Sequence, residues 1–234
     1  MQIKAALTTK ELIDKKNYCQ IYELGIVDYK DALNLQRYLA HERLSNSVVD
    51  TLILLEHPAV VTIGKSGKDE NLLVDEEILM RQGISLFYID RGGDITVHSP
   101  GQLVGYPILK LYDGILDPRA YIDLLEETII RTLSHLYIKA YRVPGFRGIW
   151  ADGAKICSIG VKVSSYVTSH GFALNVNNDL RYFSLINPCG IKSLEMTSIS
   201  KVLARNVNID EIIPLLIKEF VSVFHFNSYY YCVE

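Results

Sequence analysis

Of the residues able to do covalent chemistry, the cysteines come first: Cys19, Cys157, Cys189 and Cys232. They lie far apart, with no C-x-x-C pair and no histidine at zinc-ligand spacing, so no structural metal is expected. Three have ordinary explanations. Cys157 sits in an alternating, strand-like run, Lys155-Ile156-Cys157-Ser158-Ile159-Gly160, and Cys19 and Cys232 lie near the chain ends. Cys189 differs, because Asn187-Pro188-Cys189-Gly190 reads as a turn rather than an apolar strand interior. A free thiol is only roughly 3% thiolate at pH 7. A cysteine nucleophile therefore needs a cation, a base or a helix N-terminus beside it. His98, His170 and Lys155 are the candidates, and spacing alone does not choose among them.

The second unusual segment, Arg91 to Gln102, sets Gly92, Gly93 and Gly101 among Arg91, Asp94, Thr96, His98 and Gln102, directly after a strand-like run. Glycines let backbone approach a ligand closely, and the polar side chains are suited to orienting it. A β-bulge and hairpin with surface polar residues explains the same composition, so both readings stand. The segment matches neither a phosphate-binding G-x-x-x-x-G-K-[ST] loop nor a dinucleotide G-x-G-x-x-G fingerprint.

The elements that must position these residues alternate between the two periodicities. Residues 29–45 have the pattern of an amphipathic helix. TLILLEH and AVVTIG read as strands separated at Pro58, and SLFYID as a strand leading into Arg91. Asp117-Pro118 signals a capped helix start, with Tyr121, Leu124, Leu125, Thr128, Ile129, Leu133 and Leu136 as its inward stripe. KAYRV, GIWADGAKICSIGVKVS and SHGFALNV read as strands, with a hairpin turn at Asp152-Gly153. Helices are expected near Ser193–Leu203 and near Glu211–His225, the latter bent or delimited by Pro214.

Together these elements predict a mixed α/β fold, with residues 1–234 forming a single domain. The balance of 24 Lys+Arg against 27 Asp+Glu, a net charge of −3, supplies no field to attract nucleic acid or an anionic membrane. The opening MQIKAALTTKELIDKK lacks the apolar stretch of a signal peptide, and no run approaches a membrane span. A cytoplasmic protein is expected.

At these residues the chain resembles the lipoyl/octanoyl transferase family. The resemblance runs from about Thr51 to Val202, and several segments occur in the family's order: VVTIGKSGKDENLL, RGGDITVHSPGQLVGYPILKL, GIWADGAKICSIGVKV, HGFALNVNNDL and INPCGI followed by KSLEMTSI. It implies a biotin protein ligase-like α/β fold, akin to class II aminoacyl-tRNA synthetase cores, with no cofactor. It implies Cys189 as the residue that carries an acyl thioester and Lys155 as its dyad partner. It further implies substrate-binding segments at Arg91, Gly92, Gly93, Asp94, Ile95, Thr96, Val97 and His98, at Ser158, Ile159 and Gly160, and at Gly171, Phe172 and Ala173, with His170 at the pocket.

The implied donor is octanoyl-acyl carrier protein. The implied acceptors are lysines of lipoyl domains in 2-oxoacid dehydrogenase complexes and of the glycine cleavage H protein. One departure is visible: Ser99 stands where the family usually has glycine, in His98-Ser99-Pro100-Gly101-Gln102. Three other activities remain open on the same residues. They are an ATP-dependent ligase using Gly64-Lys65-Ser66-Gly67-Lys68, an amidotransferase between lipoyl-type proteins, and a non-enzymatic acyl-binding module. Because acyl carrier proteins are acidic, a basic rim of Lys110, Arg142, Arg147, Arg181 and Lys192 is expected around the pocket.

Overall fold

The computed structural model describes residues 18–111 and 117–232. The opening segment read for a signal peptide lies outside them. Eleven strands are described: β1 (Tyr18–Ile26), β2 (Asp50–Glu56), β3 (Val60–Ile63), β4 (Ser85–Tyr88), β5 (Ile95–His98), β6 (Gln102–Ile108), β7 (Ala140–Val143), β8 (Phe146–Ala151), β9 (Ala154–Ser164), β10 (Val167–Asn175) and β11 (Ser228–Tyr231). Eight form one sheet in the order β11-β1-β2-β6-β10-β9-β8-β7, and a second sheet runs β4-β3-β5. The helices are α1 (Tyr29–Leu44), α2 (Glu76–Arg81), α3 (Pro118–Ser134), α4 (Ile199–Leu203) and α5 (Ile209–Val223).

The large sheet is covered on both faces, which explains the unbroken apolar run of β2. Leu52 and Leu54 point into the core beneath α3 and α5, whereas Ile53 and Leu55 point into the core beneath α1. Full burial of each such side chain contributes about 1.5–3 kcal/mol. The small sheet has its own core, built from Val61, Ile63, Ile95 and Val97 against Phe183, Ile186 and Met196. Because β5 buries Ile95 and Val97 there, period-two alternation turns Thr96 and His98 the other way.

Most of the expected elements form. Asp117 caps α3 as read, its carboxylate accepting from the N–H groups of Arg119 (2.7 Å) and Ala120 (2.8 Å). Asp152 and Gly153 both have positive φ, 49° and 80°, as a two-residue hairpin turn requires. Two helices differ. The one expected from Ser193 begins at Ile199, because the preceding residues pair with β9. Lys155 N–H donates to Glu195 C=O and Thr197 N–H to Lys155 C=O, both at 2.9 Å. The last helix starts earlier, at Ile209, under a capping box between Asn208 and Glu211, and continues through Pro214 to Val223. Pro214 falls in its second turn on the exposed face, so it neither delimits the helix nor meets the core.

Candidate active site

The turn that carries Cys189 is a single 3₁₀ turn, Pro188–Gly190, in which Cys189 itself holds φ 57° and ψ 22°. A side-chain-bearing residue in the left-handed region is uncommon, and such positions concentrate where a site must be held in one geometry. The turn packs against β5. At Gly190 a Cβ would lie 2.5 Å from Asp94 Oδ2, and Asp94 is fixed in turn by Asn71 Nδ2 at 2.8 Å. Glycine there lets the carboxylate brace the turn.

Lys155 approaches from β9. It is 2% exposed, and its ammonium donates to Arg147 C=O at 2.8 Å and sits 3.1 Å from Cys189 Sγ. The same nitrogen lies 4.9 Å from the centroid of the Trp150 ring, a cation–π position. Gly148 makes room for it: with φ 117°, its missing Cβ would fall against Cys157 C=O and 2.6 Å from Lys155 Cε. Gly148 is held by Glu126, a buried carboxylate on α3 that accepts its N–H at 3.1 Å.

The other thiols have different surroundings. Burial pushes Cys157 up to about 12, with Lys155 opposing only in part, and burial raises Cys19 well above the ordinary thiol range. Burial of this kind disfavours the thiolate that a nucleophile needs.

From Cys189 and Lys155 a cavity of about 240 Å³ runs along β9 and β10. Every residue that the resemblance implies for binding lines it, except Gly92 and Val97. Val97 points into the small-sheet core, and Gly92 donates its N–H to Val161 C=O at 2.9 Å, fastening the loop to β9. Phe172 lies in the cavity wall while its ring packs over Gly105 in the main core.

Arg91 is 8% exposed, and its guanidinium donates to Thr62 C=O (2.9 Å), Thr62 Oγ1 (3.0 Å) and Gly92 C=O (3.0 Å). Burial lowers its pKa, and no carboxylate pairs with it among the described residues. It is a buried cation beside the cavity. Gly160 permits this, since a Cβ there would sit 2.9 Å from Arg91 Cδ.

His98 is held by a network that fixes its proton. Gln102 Nε2 donates to Asn175 Oδ1 (2.9 Å) and Val97 C=O (3.3 Å), which leaves Gln102 Oε1 as the acceptor for His98 Nδ1–H at 2.7 Å. His98 Nε2 is then the unprotonated nitrogen. Burial drives His98 down to about 3, with the neighbouring His57 opposing its charge as well, and burial drives His57 down to about 4. Both rings are neutral at pH 7. Tyr106, whose hydroxyl lies 2.7 Å from His57 Nε2, and Tyr29, stacked on His98 at 6.1 Å between centroids, complete this end of the cavity. Tyr29, His57 and Tyr106 carried no sequence signal, because an aromatic at helical or strand spacing reads as core.

The loop Gly64–Lys68 is committed elsewhere. The N–H groups of Gly64, Lys65 and Ser66 donate to the carbonyls of Asp94, Arg91 and Gly93, and Gly67 N–H closes onto Gly64 C=O. Those donors brace the Arg91–Asp94 segment and are not offered to a phosphate. The expected basic rim is also thinner than read. Arg142 and Arg147 pair with Asp123, Glu126 and Glu127 of α3, and Arg181 pairs with Asp179. Lys110 lies past the far end of β6, bonded to Asn46 at 2.9 Å. Lys192 is exposed next to Ile191, which lines the cavity.

Comparison with known proteins places this geometry in a family. The model of the lipoyl protein ligase A/B catalytic domain matches residues 28–221. An octanoyltransferase of Solibacter usitatus is 47% identical over 209 residues, covering 89% of this chain and 94% of that protein. One from Caldicellulosiruptor saccharolyticus is 45% identical over 212 residues, covering 90% and 89%. Among solved structures, a putative lipoate protein ligase from T. acidophilum with bound lipoic acid superposes with a TM-score of 0.70 at 20% identity, over 93% of this chain and 90% of that one. Lipoate-protein ligase A bound with ATP gives 0.70 at 19%, over 94% and 90%. At those identities the structures establish the shared fold, and the sequence relatives establish the membership: the chain belongs to the lipoyl protein ligase A/B catalytic domain family.

Proposed function

We propose that the protein is an acyltransferase that moves an octanoyl group from an acyl carrier protein to a lysine of a lipoyl domain, through a thioester on Cys189. The observation that carries this reading is Cys189 Sγ at 3.1 Å from a buried lysine ammonium at the mouth of a partly apolar slot. Octanoyltransferases at 47% and 45% identity supply the acyl group and the reaction class.

Cys189 and Lys155 share one proton, and with it on Lys155 the Cys189 thiolate attacks the carbonyl of the incoming thioester. As the tetrahedral intermediate collapses, the ammonium of Lys155 protonates the departing carrier thiolate. In the second half, neutral Lys155 removes a proton from the attacking lysine amine, and the new amide forms as Cys189 leaves with that proton. Gly190 N–H does not serve the oxyanion, since it donates to Asn187 C=O at 3.0 Å. Thr96 Oγ1, buried and without a partner among the described residues, is the spare hydroxyl in the cavity for an acyl oxygen. We assign the whole chain to one catalytic domain. Its work belongs in the cytoplasm, where a nucleophilic thiol stays reduced.

An ATP-dependent ligase on the same fold is the second reading, and the committed N–H groups of Gly64–Gly67 weigh against a nucleotide there. The test is the intact mass of the protein after mixing with octanoyl carrier protein without ATP. A gain of one octanoyl group that disappears in Cys189→Ser is expected. A labelled Cys189→Ser protein, or labelling that requires ATP, removes the proposal.

A further inference from the structure

The slot ends at His170. Its walls are ordered along the β9–β10 pair: Ser158 faces Ala173, Gly160 faces Gly171, and Val161 faces His170. Lys155 Nζ lies at the level of Gly148 and Cys157, so four residues of strand, about 13 Å at 3.3 Å per residue, separate the dyad from the His170 level. An extended eight-carbon chain occupies about 9 Å, from C–C bonds of about 1.5 Å at tetrahedral angles, plus the radius of its end methyl.

Beyond His170 lies a second cavity of about 220 Å³, lined by Leu33, Gln36 and Ala40 of α1 on one side and by Lys162, Val167 and Ser169 on the other. His170 is the residue common to the linings of both cavities.

The ring is unusually well fastened for a partition. It is 2% exposed, and its Nε2 lies 3.0 Å from Asp90 Oδ1, while Asp90 Oδ2 accepts from Lys162 Nζ at 2.6 Å. Its backbone N–H donates to Gln36 Oε1 at 2.8 Å, from a side chain that is itself 1% exposed. Gln36 Nε2 has no partner among the described residues, so the amide is held for its oxygen. The residue takes φ 57°, in the left-handed region, within an unbroken β9–β10 register. Although burial works the other way, the hydrogen bonds from Lys162 and His170 hold the Asp90 carboxyl below its ordinary range, keeping it an anion at neutral pH.

We propose that His170, clamped by Asp90 and Gln36, is the end wall that sets acyl chain length, separating an octanoyl-sized slot from a second cavity able to receive a longer chain. This rests on the acyl-transfer reading above. The added methylenes of a longer acyl group would lie against Leu33, Ala40 and Val167.

Glycine is the substitution to use, because φ 57° is unstrained without a Cβ, and asparagine is the conservative second choice in the left-handed region. The unaltered protein, His170→Gly and His170→Asn are each mixed with octanoyl, decanoyl and dodecanoyl thioesters of a small thiol. The rate of acyl-enzyme formation is then followed by intact mass. The ratio of dodecanoyl to octanoyl rates is expected to rise about tenfold or more in His170→Gly, and by less in His170→Asn. A variant that melts cooperatively and accepts octanoyl, yet keeps the original ratio within about twofold, overturns the proposal; if His170→Gly does not fold, His170→Asn decides. Absence of any adduct in the unaltered protein would instead defeat the acyl-transfer reading. The wall is then tested by calorimetry in a Cys189→Ala background: dodecanoate affinity that rises relative to octanoate on adding His170→Gly supports it, and unchanged relative affinity overturns it.

Discussion

In the proposed mechanism Lys155 is the residue on which most of the chemistry turns, and its environment separates two roles that the sequence could only name together. Buried at 2% exposure, with acceptors at 2.8 Å and 3.1 Å, Lys155 can stabilise a thiolate and give a proton as the ammonium, and take one as the free amine. Lys155→Met should lower acyl-enzyme formation by about 10²–10⁴-fold and slow alkylation of Cys189 by iodoacetamide at neutral pH, since cation and proton carrier go together. Lys155→Arg should restore part of the alkylation rate while leaving transfer low, because guanidinium does not release its proton. Equal alkylation by all three proteins would reduce Lys155 to a packing residue. At this scale the sequence was most legible where residue types were odd for their place: a cysteine in a Pro-Cys-Gly turn, and glycines beside an arginine. Asp90 and Glu126 were not legible, because a carboxylate held by specific partners looks like a solvated one until those partners come from elsewhere in the chain.

Among the elements, β8 and β9 matter most, since their hairpin delivers Lys155 through a register shift between Ile149 and Trp150. Gly148, next to that shift, is the pivot. Gly148→Ala would set a Cβ against Cys157 C=O and Lys155 Cε at a backbone φ of 117°, so it must either displace the ammonium or move the strand. A loss of at least about 2 kcal/mol in stability, together with loss of acyl-enzyme formation, is expected from denaturant unfolding and intact mass. Full activity in that variant would show that the strand yields without carrying Lys155 away. Strands and capped helices were readable from periodicity and from Asp117-Pro118. The expected helix from Ser193 failed because Glu195 and Thr197 bond to Lys155, a pairing across forty residues that no local pattern encodes. Pro214 misled for a different reason: the helix loses one hydrogen bond on its exposed face, and the buried stripe of Ile212, Leu216, Ile217 and Phe220 outweighs that loss.

For the molecule as a whole, the polar end of the slot links function to stability. His57 and His98 are enclosed where α1, the small sheet and β6 meet, and their rings lie 5.6 Å apart. Burial lowers them to about 4 and about 3, against about 6.5 for a histidine in the unfolded chain. Below pH 6.5 the unfolded chain therefore binds protons that the folded chain refuses, so stability is full above that pH and falls as the pH drops toward 4. Between pH 6.5 and 5.5 each ring should cost about 1 kcal/mol, and the two together should lower Tm by about 4–8 °C for a chain of this size. Calorimetric scans at pH 7.5, 6.5, 5.5 and 4.5 check this. In His57→Gln the fall should be shallower, because one refused proton is removed and His98 no longer faces a second ring able to charge. A Tm that stays level from pH 7.5 to 4.5 would mean that water reaches these rings, and with it the polar end of the cavity.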